Sequence, residues 1–380
     1  MRKLTKPALL LLVMTQVGCS MSSSNTQEPA DLVDFERRIK INEVWDNDFG
    51  SVDTDITMRL QPVVAENAVF AIDSDGDVTA YRKDNGNTLW QSDVDLDITA
   101  GLGFNDNYLF AGTTDGEVVA LSRKDGKLVW KKALSSEILS PPVATENRVL
   151  VQTVDGKLLS LNAGSGKRQW VYQRREPALS LRGTSTPIMF QGVVVSGYGG
   201  GILVALRLSD GRLLWERPVS YPKGRNVVQR LADVDASPLI AGYRLFAVSY
   251  QGKLIALDIR SGRKSWTKTV SSYVSMAADR RNVYVTDEHG VVRAYDQASG
   301  SVIWVQDKLK GRRISAPAVA GSYILVGDLS GYTHWLSTQD GSLAGRYRIS
   351  DDAIIAQPVV YNDIVFVSTV GGDLAALQWN

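Results

Sequence analysis

Pro142-Val143-Ala144, Arg148-Val149-Leu150-Val151-Gln152, Lys157-Leu158-Leu159-Ser160-Leu161-Asn162 and Arg168-Gln169-Trp170-Val171-Tyr172 are four short runs rich in β-branched and apolar residues. Asp155-Gly156 separates the second run from the third, and Gly164-Ser165-Gly166 the third from the fourth. Short runs joined by Asp-Gly or Gly-containing turns read as an antiparallel four-stranded meander. One such sheet leaves both faces wet, so copies must stack against it.

The copies are present. Gly76, Gly116, Gly156, Gly201, Gly252, Gly290 and Gly331 are each followed ten residues later by Gly86, Gly126, Gly166, Gly211, Gly262, Gly300 and Gly341. Four residues further on, six of the seven units carry Trp90, Trp130, Trp170, Trp215, Trp266 and Trp304. Pro62, Pro142, Pro187, Pro238, Pro317 and Pro358 each open a unit, where a strand needs no ladder donor. A period of about forty residues is the mark of one unit repeated in space. The large apolar indole suits a wedge between neighbouring sheets. The seventh unit has Gly345 at that position, which predicts a less well filled junction.

An eighth unit starts at Pro358, reaches Gly372 and stops at Asn380 before its fourth strand. Ile41-Asn42-Glu43-Val44-Trp45 has the fourth-strand pattern with no unit before it. The sequence therefore predicts an all-β protein, an eight-bladed β-propeller of four-stranded antiparallel blades. Its ring would be closed by pairing of the N-terminal strand, 41–48, with the C-terminal blade, which removes an exposed edge.

Upstream of the ring, Arg2, Lys3 and Lys6 precede an apolar core from Ala8 to Val13, too short to span a bilayer. The single cysteine, Cys19, follows Gly18. The arrangement resembles a bacterial lipoprotein signal, which implies cleavage after residue 18 and lipidation of Cys19. Ser20, with no Asp in its place, implies sorting to the outer membrane. The expected domains are a signal peptide over 1–18, a lipidated flexible tether over 19–40 and the propeller over 41–380. A short amphipathic turn of helix is expected over 31–40. With 42 basic and 41 acidic residues, the chain has no excess charge to drive non-specific nucleic-acid binding.

Little in the sequence marks a catalytic centre. His289 and His334, the two histidines, fall in different units. Asp73, Asp75 and Asp77 alternate as in a calcium loop, but Val78 stands where that loop needs Gly and Asp84 where it needs Glu. A hairpin turn is the better reading. Gly197-Tyr198-Gly199-Gly200-Gly201 has no helix after it to form a phosphate cradle and falls where the other units turn. No cofactor, metal ligand or catalytic residue is expected.

Function should reside where the copies differ. Trp to the next opening Pro spans twelve residues from Trp130 to Pro142, but seventeen from Trp170 to Pro187 and twenty-three from Trp215 to Pro238. These two long connectors belong to adjacent blades, so they should lie side by side on one rim. The first carries Leu179, Leu181 and Arg182, and the second Asp233 and Asp235. The leucines could anchor a partner while the charges orient it; alternatively the leucines fold back and Arg182 pairs with an aspartate.

Ala80, Ala120, Ala205, Ala256 and Ala294, with Gly six and Trp ten residues later, resemble the repeat of quinoprotein dehydrogenases. That resemblance implies pyrroloquinoline quinone and calcium in the funnel, yet this chain lacks the vicinal cysteines and carboxylate cluster that commonly go with them. The lipoprotein signal, the tryptophan-marked units, Leu179-Ser180-Leu181-Arg182-Gly183 and Asp233-Val234-Asp235 together resemble the BamB family, the lipoprotein component of the outer-membrane β-barrel assembly machinery. The resemblance implies a non-enzymatic scaffold, lipid-anchored at the periplasmic face of the outer membrane. It also implies that Leu179, Leu181, Arg182, Asp233 and Asp235 bind the periplasmic POTRA domains of BamA, in support of nascent outer-membrane β-barrel proteins. A dehydrogenase-like propeller and a carbohydrate-binding propeller are the alternatives.

Overall fold

The computed structural model describes residues 28–52, 60–177, 183–221 and 232–380. The strands form eight four-stranded antiparallel sheets, each paired in simple meander order. First strands line the axis and, except for Ile98–Phe104 of blade 2, are two or three residues long; second and third strands are almost wholly buried between neighbouring blades, as at Arg148–Gln152 and Lys157–Asn162. Fourth strands such as Leu128–Ala133 form the outer circumference, and most of their residues are exposed.

One contact recurs around the ring. On every fourth strand but that of blade 7 a tryptophan sits across from a small residue of the third: Ala80 faces Trp90, Ala120 faces Trp130, Ser160 faces Trp170, and Ala205 faces Trp215, for example. The indole then leans onto the next blade and covers the glycine that turns its third strand into its fourth. Gly126, Gly166, Gly211, Gly262 and Gly300 all have φ between +63° and +71°. A methyl group on any of them would stand no more than 2.8 Å from the preceding blade's indole. Glycine is needed twice here, for its left-handed backbone and for its missing side chain.

The indole nitrogen completes the dock by donating to a carbonyl of that same turn region. Trp130 donates to Ala163 at 2.8 Å, Trp170 to Leu208 at 2.9 Å, Trp215 to Ile259 at 3.0 Å and Trp304 to Thr338 at 2.9 Å. A buried indole N–H left unpaired would be destabilising, so the bond fixes the blade spacing as well as satisfying the donor.

Closure uses the same device. Ile41–Asp48 pairs antiparallel with Asp373–Trp379, from Ile41 opposite Trp379 to Asp48 opposite Asp373. Lys40 and Asn380 exchange two backbone hydrogen bonds of 3.1 Å. Trp45, the eighth blade's indole, lies over Gly86 of the first blade and donates to the Lys83 carbonyl at 2.9 Å.

Gly345 turns out differently from the expectation of a poorly filled junction. The eighth blade has chain ends where the others have their third turn, so no glycine is available for a seventh-blade tryptophan to cover. Instead the pair is inverted: Trp335 on the third strand faces Gly345 on the fourth. Trp335 is fully buried, with the Trp379 ring 5.1 Å away. A methyl on Gly345 would meet Ile39 at 2.7 Å and Ile41 at 2.9 Å, so the entering N-terminal segment fills the space.

That segment is also not helical. The expected turn of helix over 31–40 is absent, and residues 28–40 run extended along blades 6 and 7. Their backbone is held from both sides: Ala30 N–H donates to Lys310 and Arg38 N–H to Ala344, each at 2.8 Å. Arg346 donates to the Val33 carbonyl at 3.1 Å and stacks 5.0 Å from the Phe35 ring. Bonds to the body of the ring replace the internal bonds a helix would need.

Gly211 and Gly192 separate backbone strain from the indole contact. Both have positive φ, +70° and +79°, but a methyl on Gly192 meets nothing within 4 Å while one on Gly211 strikes Trp170. Gly192→Ala should destabilise by about 1 kcal/mol, and Gly211→Ala by roughly 2–4 kcal/mol through added overpacking. Urea denaturation of the two variants side by side checks the difference.

Candidate functional site

Strand alternation places the turn between second and third strands on the same rim as the connector to the next blade. On blade 4 that turn is the glycine run 197–201. Both long connectors come down on it. From the first connector, the Glu176 carboxylate accepts from Gly199 N–H at 2.9 Å. From the second, the Asp233 carboxylate accepts from Gly200 N–H at 2.8 Å, and the Asp233 carbonyl accepts from Tyr250 N–H at 3.0 Å.

The glycines are there for approach. A methyl on Gly199 would meet Pro177 Cδ at 2.8 Å, one on Gly197 would meet the Val234 side chain, and one on Gly201 would meet the Ala232 carbonyl at 2.9 Å. The connectors also touch each other, since Gly183 leaves Asp235 Cγ 3.1 Å from where its Cβ would be. The described flanks of both connectors thus converge on one blade and one rim.

Leu179, Leu181 and Arg182 lie outside the described residues, as does Cys19. Asp233 is only 2% exposed, and its carboxylate holds the turn rather than facing outward. Asp235 is half-buried and lines a cavity on the ring axis. Two residues of this rim escape sequence reading. Glu176 looks like any surface glutamate, yet burial pushes its carboxyl up from the ordinary range, against the opposing Gly199 hydrogen bond. Tyr250, on a blade 5 turn, lines the axis.

The histidines and the aspartate triplet have structural work. His289 is exposed in a turn. His334 is fully buried, with Nε2 2.8 Å from Asp328 Oδ2, and burial lowers its pKa. Asp328 is held below its ordinary range, despite desolvation, by His334, the Ser330 backbone and Arg312. Arg312 also donates to the Ala30 carbonyl at 3.0 Å, so this cluster secures the N-terminal segment. Asp73 Oδ1 accepts from the backbone N–H of Asp75, Gly76 and Asp77 at 2.8–3.1 Å, which makes the triplet a hairpin turn.

The axial cavity, of about 660 Å³, takes lining residues from all eight blades. Among the described residues lining it, Asp235 is the one carboxylate, and there is no Lys, Arg or His. Pyrroloquinoline quinone carries three carboxyl groups and binds with a divalent cation. A wall with no cation and a single acidic side chain does not fit that group.

A family profile described as "Outer membrane protein assembly factor BamB" matches residues 74–306 and 288–379. The chain belongs to the BamB family. It is 45% identical over 369 residues to the Pseudomonas aeruginosa outer membrane protein assembly factor BamB, covering 97% of both chains. It is 40% identical to that of Legionella pneumophila, over 97% of this chain and 98% of the relative. The crystal structure of BamB from Moraxella catarrhalis superposes with a TM-score of 0.82 at 27% identity, over 89% of this chain and all of that one.

A quinohemoprotein alcohol dehydrogenase from Comamonas testosteroni superposes with a TM-score of 0.72 at 13% identity, a likeness of fold alone. By family this chain is grouped with outer membrane protein assembly factors rather than with enzymes.

Glu176 provides a test of the rim. A carboxyl whose folded pKa is raised binds its proton more tightly when folded, so ionisation removes stability as pH rises through the raised value. Glu176→Gln keeps an acceptor for Gly199 without the buried charge. It should raise the thermal midpoint by ~1–2 °C at neutral pH, and the gain should vanish as the pH falls below the carboxylate range. Melting curves across pH check the trend.

Proposed function

We propose that this protein is a non-catalytic, lipid-anchored scaffold at the periplasmic face of the outer membrane. In this reading it docks on the POTRA domains of BamA through the two long connectors and assists insertion of β-barrel proteins. The observation that carries it is the convergence of both connectors on the Gly197–Gly201 turn, with Glu176 and Asp233 fastening their feet to successive backbone amides. A partner meeting loops held this way has less ordering entropy to overcome. Leu179, Leu181 and Arg182 make the contact, together with Asp235. Asp233 contributes from below, by positioning.

Each leucine buried at such a contact contributes roughly 1.5–3 kcal/mol, or about ten- to a hundredfold in affinity. Leu179→Asp and Arg182→Glu should therefore abolish capture of BamA from detergent extracts while leaving the melting temperature within ~2 °C of the parent. Capture at the parent level by both variants would refute the docking surface.

The outer circumference supports a second part of the same reading, contact with nascent barrel strands by β-augmentation. Most blades leave the outer edge of their fourth strand unpaired; on blade 7 the Ala344 carbonyl takes the Arg38 N–H. Most carry charge, such as Lys131 and Lys132 on blade 2 or Lys264 and Lys268 on blade 5, which discourages edge pairing. Val302–Gln306 of blade 6 has no charged residue, and Val302, Ile303 and Val305 are 48–52% exposed. A photocrosslinker replacing Ile303 should capture unfolded barrel clients several-fold more than one replacing Lys132; equal capture would count against edge pairing.

A further inference from the structure

We propose that the axial cavity binds a neutral di- or trisaccharide. The first reason is a pair of orphaned hydroxyls. Ser140 is 2% exposed and its Oγ has no hydrogen-bond partner; Thr184 Oγ1 is buried and equally unpartnered. Both line the cavity, from blades 3 and 4. Buried hydroxyls are nearly always paired; with no bond to hold them, a turn about χ1 presents either one to a guest that both donates and accepts. Sugar hydroxyls do both.

The second reason is aromatic. Tyr250 and Tyr273, from blade 5 and its following connector, line the same cavity with ring centroids 6.4 Å apart and planes inclined by 63°. Tyr273 keeps 38% of its surface exposed. A sugar ring has an apolar C–H face that packs on an aromatic face, while its hydroxyl edge points sideways to polar groups. Two tyrosines set at an angle, with hydroxyl side chains on the neighbouring blades, match that division.

Charge and size narrow the class. With Asp235 the one ionisable acid in the described lining and no cation there, anionic ligands are repelled. A neutral polyol is tolerated, and a carboxylate accepts its hydroxyls strongly. The volume of about 660 Å³ lies well inside the range of small-ligand sites. This inference shares Asp235 with the docking reading, but its test turns on Tyr273 and Ser140, so its failure leaves that reading untouched.

Saturation-transfer NMR on the full mature chain, with cellobiose, maltotriose and an N-acetylglucosamine disaccharide as probes and citrate as the anionic control, tests it. At least one neutral sugar should bind saturably in the millimolar range, with citrate showing no transfer. Tyr273→Ala should weaken binding at least about tenfold and Tyr273→Trp should restore it, because stacking rather than the hydroxyl is at issue. Ser140→Ala should weaken it by about three- to tenfold without lowering the melting temperature, which a merely structural hydroxyl would do. No saturable sugar binding would overturn the proposal, leaving the hydroxyls to ordinary buried water. Sugar binding undiminished in both Tyr273→Ala and Ser140→Ala, or citrate binding as tightly, would overturn it too.

Discussion

The ring depends on an indole lying flat against a glycine of the next blade. Each such dock combines a large apolar surface, a left-handed turn that only glycine adopts without strain, and a hydrogen bond from the indole N–H to that turn. The three requirements fall on different blades, so a tryptophan has its value only if the neighbour has its glycine. This explains why Gly and Trp recur together at fixed spacing: the spacing links a turn on one blade to the wedge that reaches the next.

The same logic accounts for the one place where the pattern breaks. Blade 8 is assembled from both ends of the chain, so the turn that a seventh-blade tryptophan would cover does not exist. Trp335 and Gly345 exchange positions across their strand pair, and Ile39 and Ile41 occupy the space left free. The large ring moves from the fourth strand to the third and still packs against blade 8, with Trp379 5.1 Å away, as a close-packed interior requires. The N-terminal segment therefore does more than lead into the ring. Its backbone is tied down by the buried Arg312–Asp328–His334 cluster and by Arg346.

At the rim of blade 4, glycines serve another end. Gly197, Gly199 and Gly201 omit side chains so that two connectors from different blades approach one turn, and the turn's amides are taken up by Glu176 and Asp233. Carboxylates on backbone N–H groups are short-range, directional fasteners. They give irregular chain a fixed footing on regular sheet, the arrangement expected where loops carry recognition. The axial cavity lies beside this footing, with Asp235 and Thr184 contributed to it by the connectors themselves.

Blade number, strand order and the closure at 41–48 were legible from residue order alone, because Gly-Gly-Trp spacing and strand alternation are local periodicities that survive without coordinates. So was the pairing of the two unequal connectors with adjacent blades, which is a matter of counting. What filled the Gly345 junction was not legible, since Trp335 and Ile39 are far from it in the pattern and reach it only through the ring. Nor was the division of labour between Asp233 and Asp235: two residues apart, they look equivalent, yet one is buried on a backbone amide and the other lines the axis. A sequence records which side chains recur, whereas burial and partners depend on what a neighbouring blade brings to the same point in space.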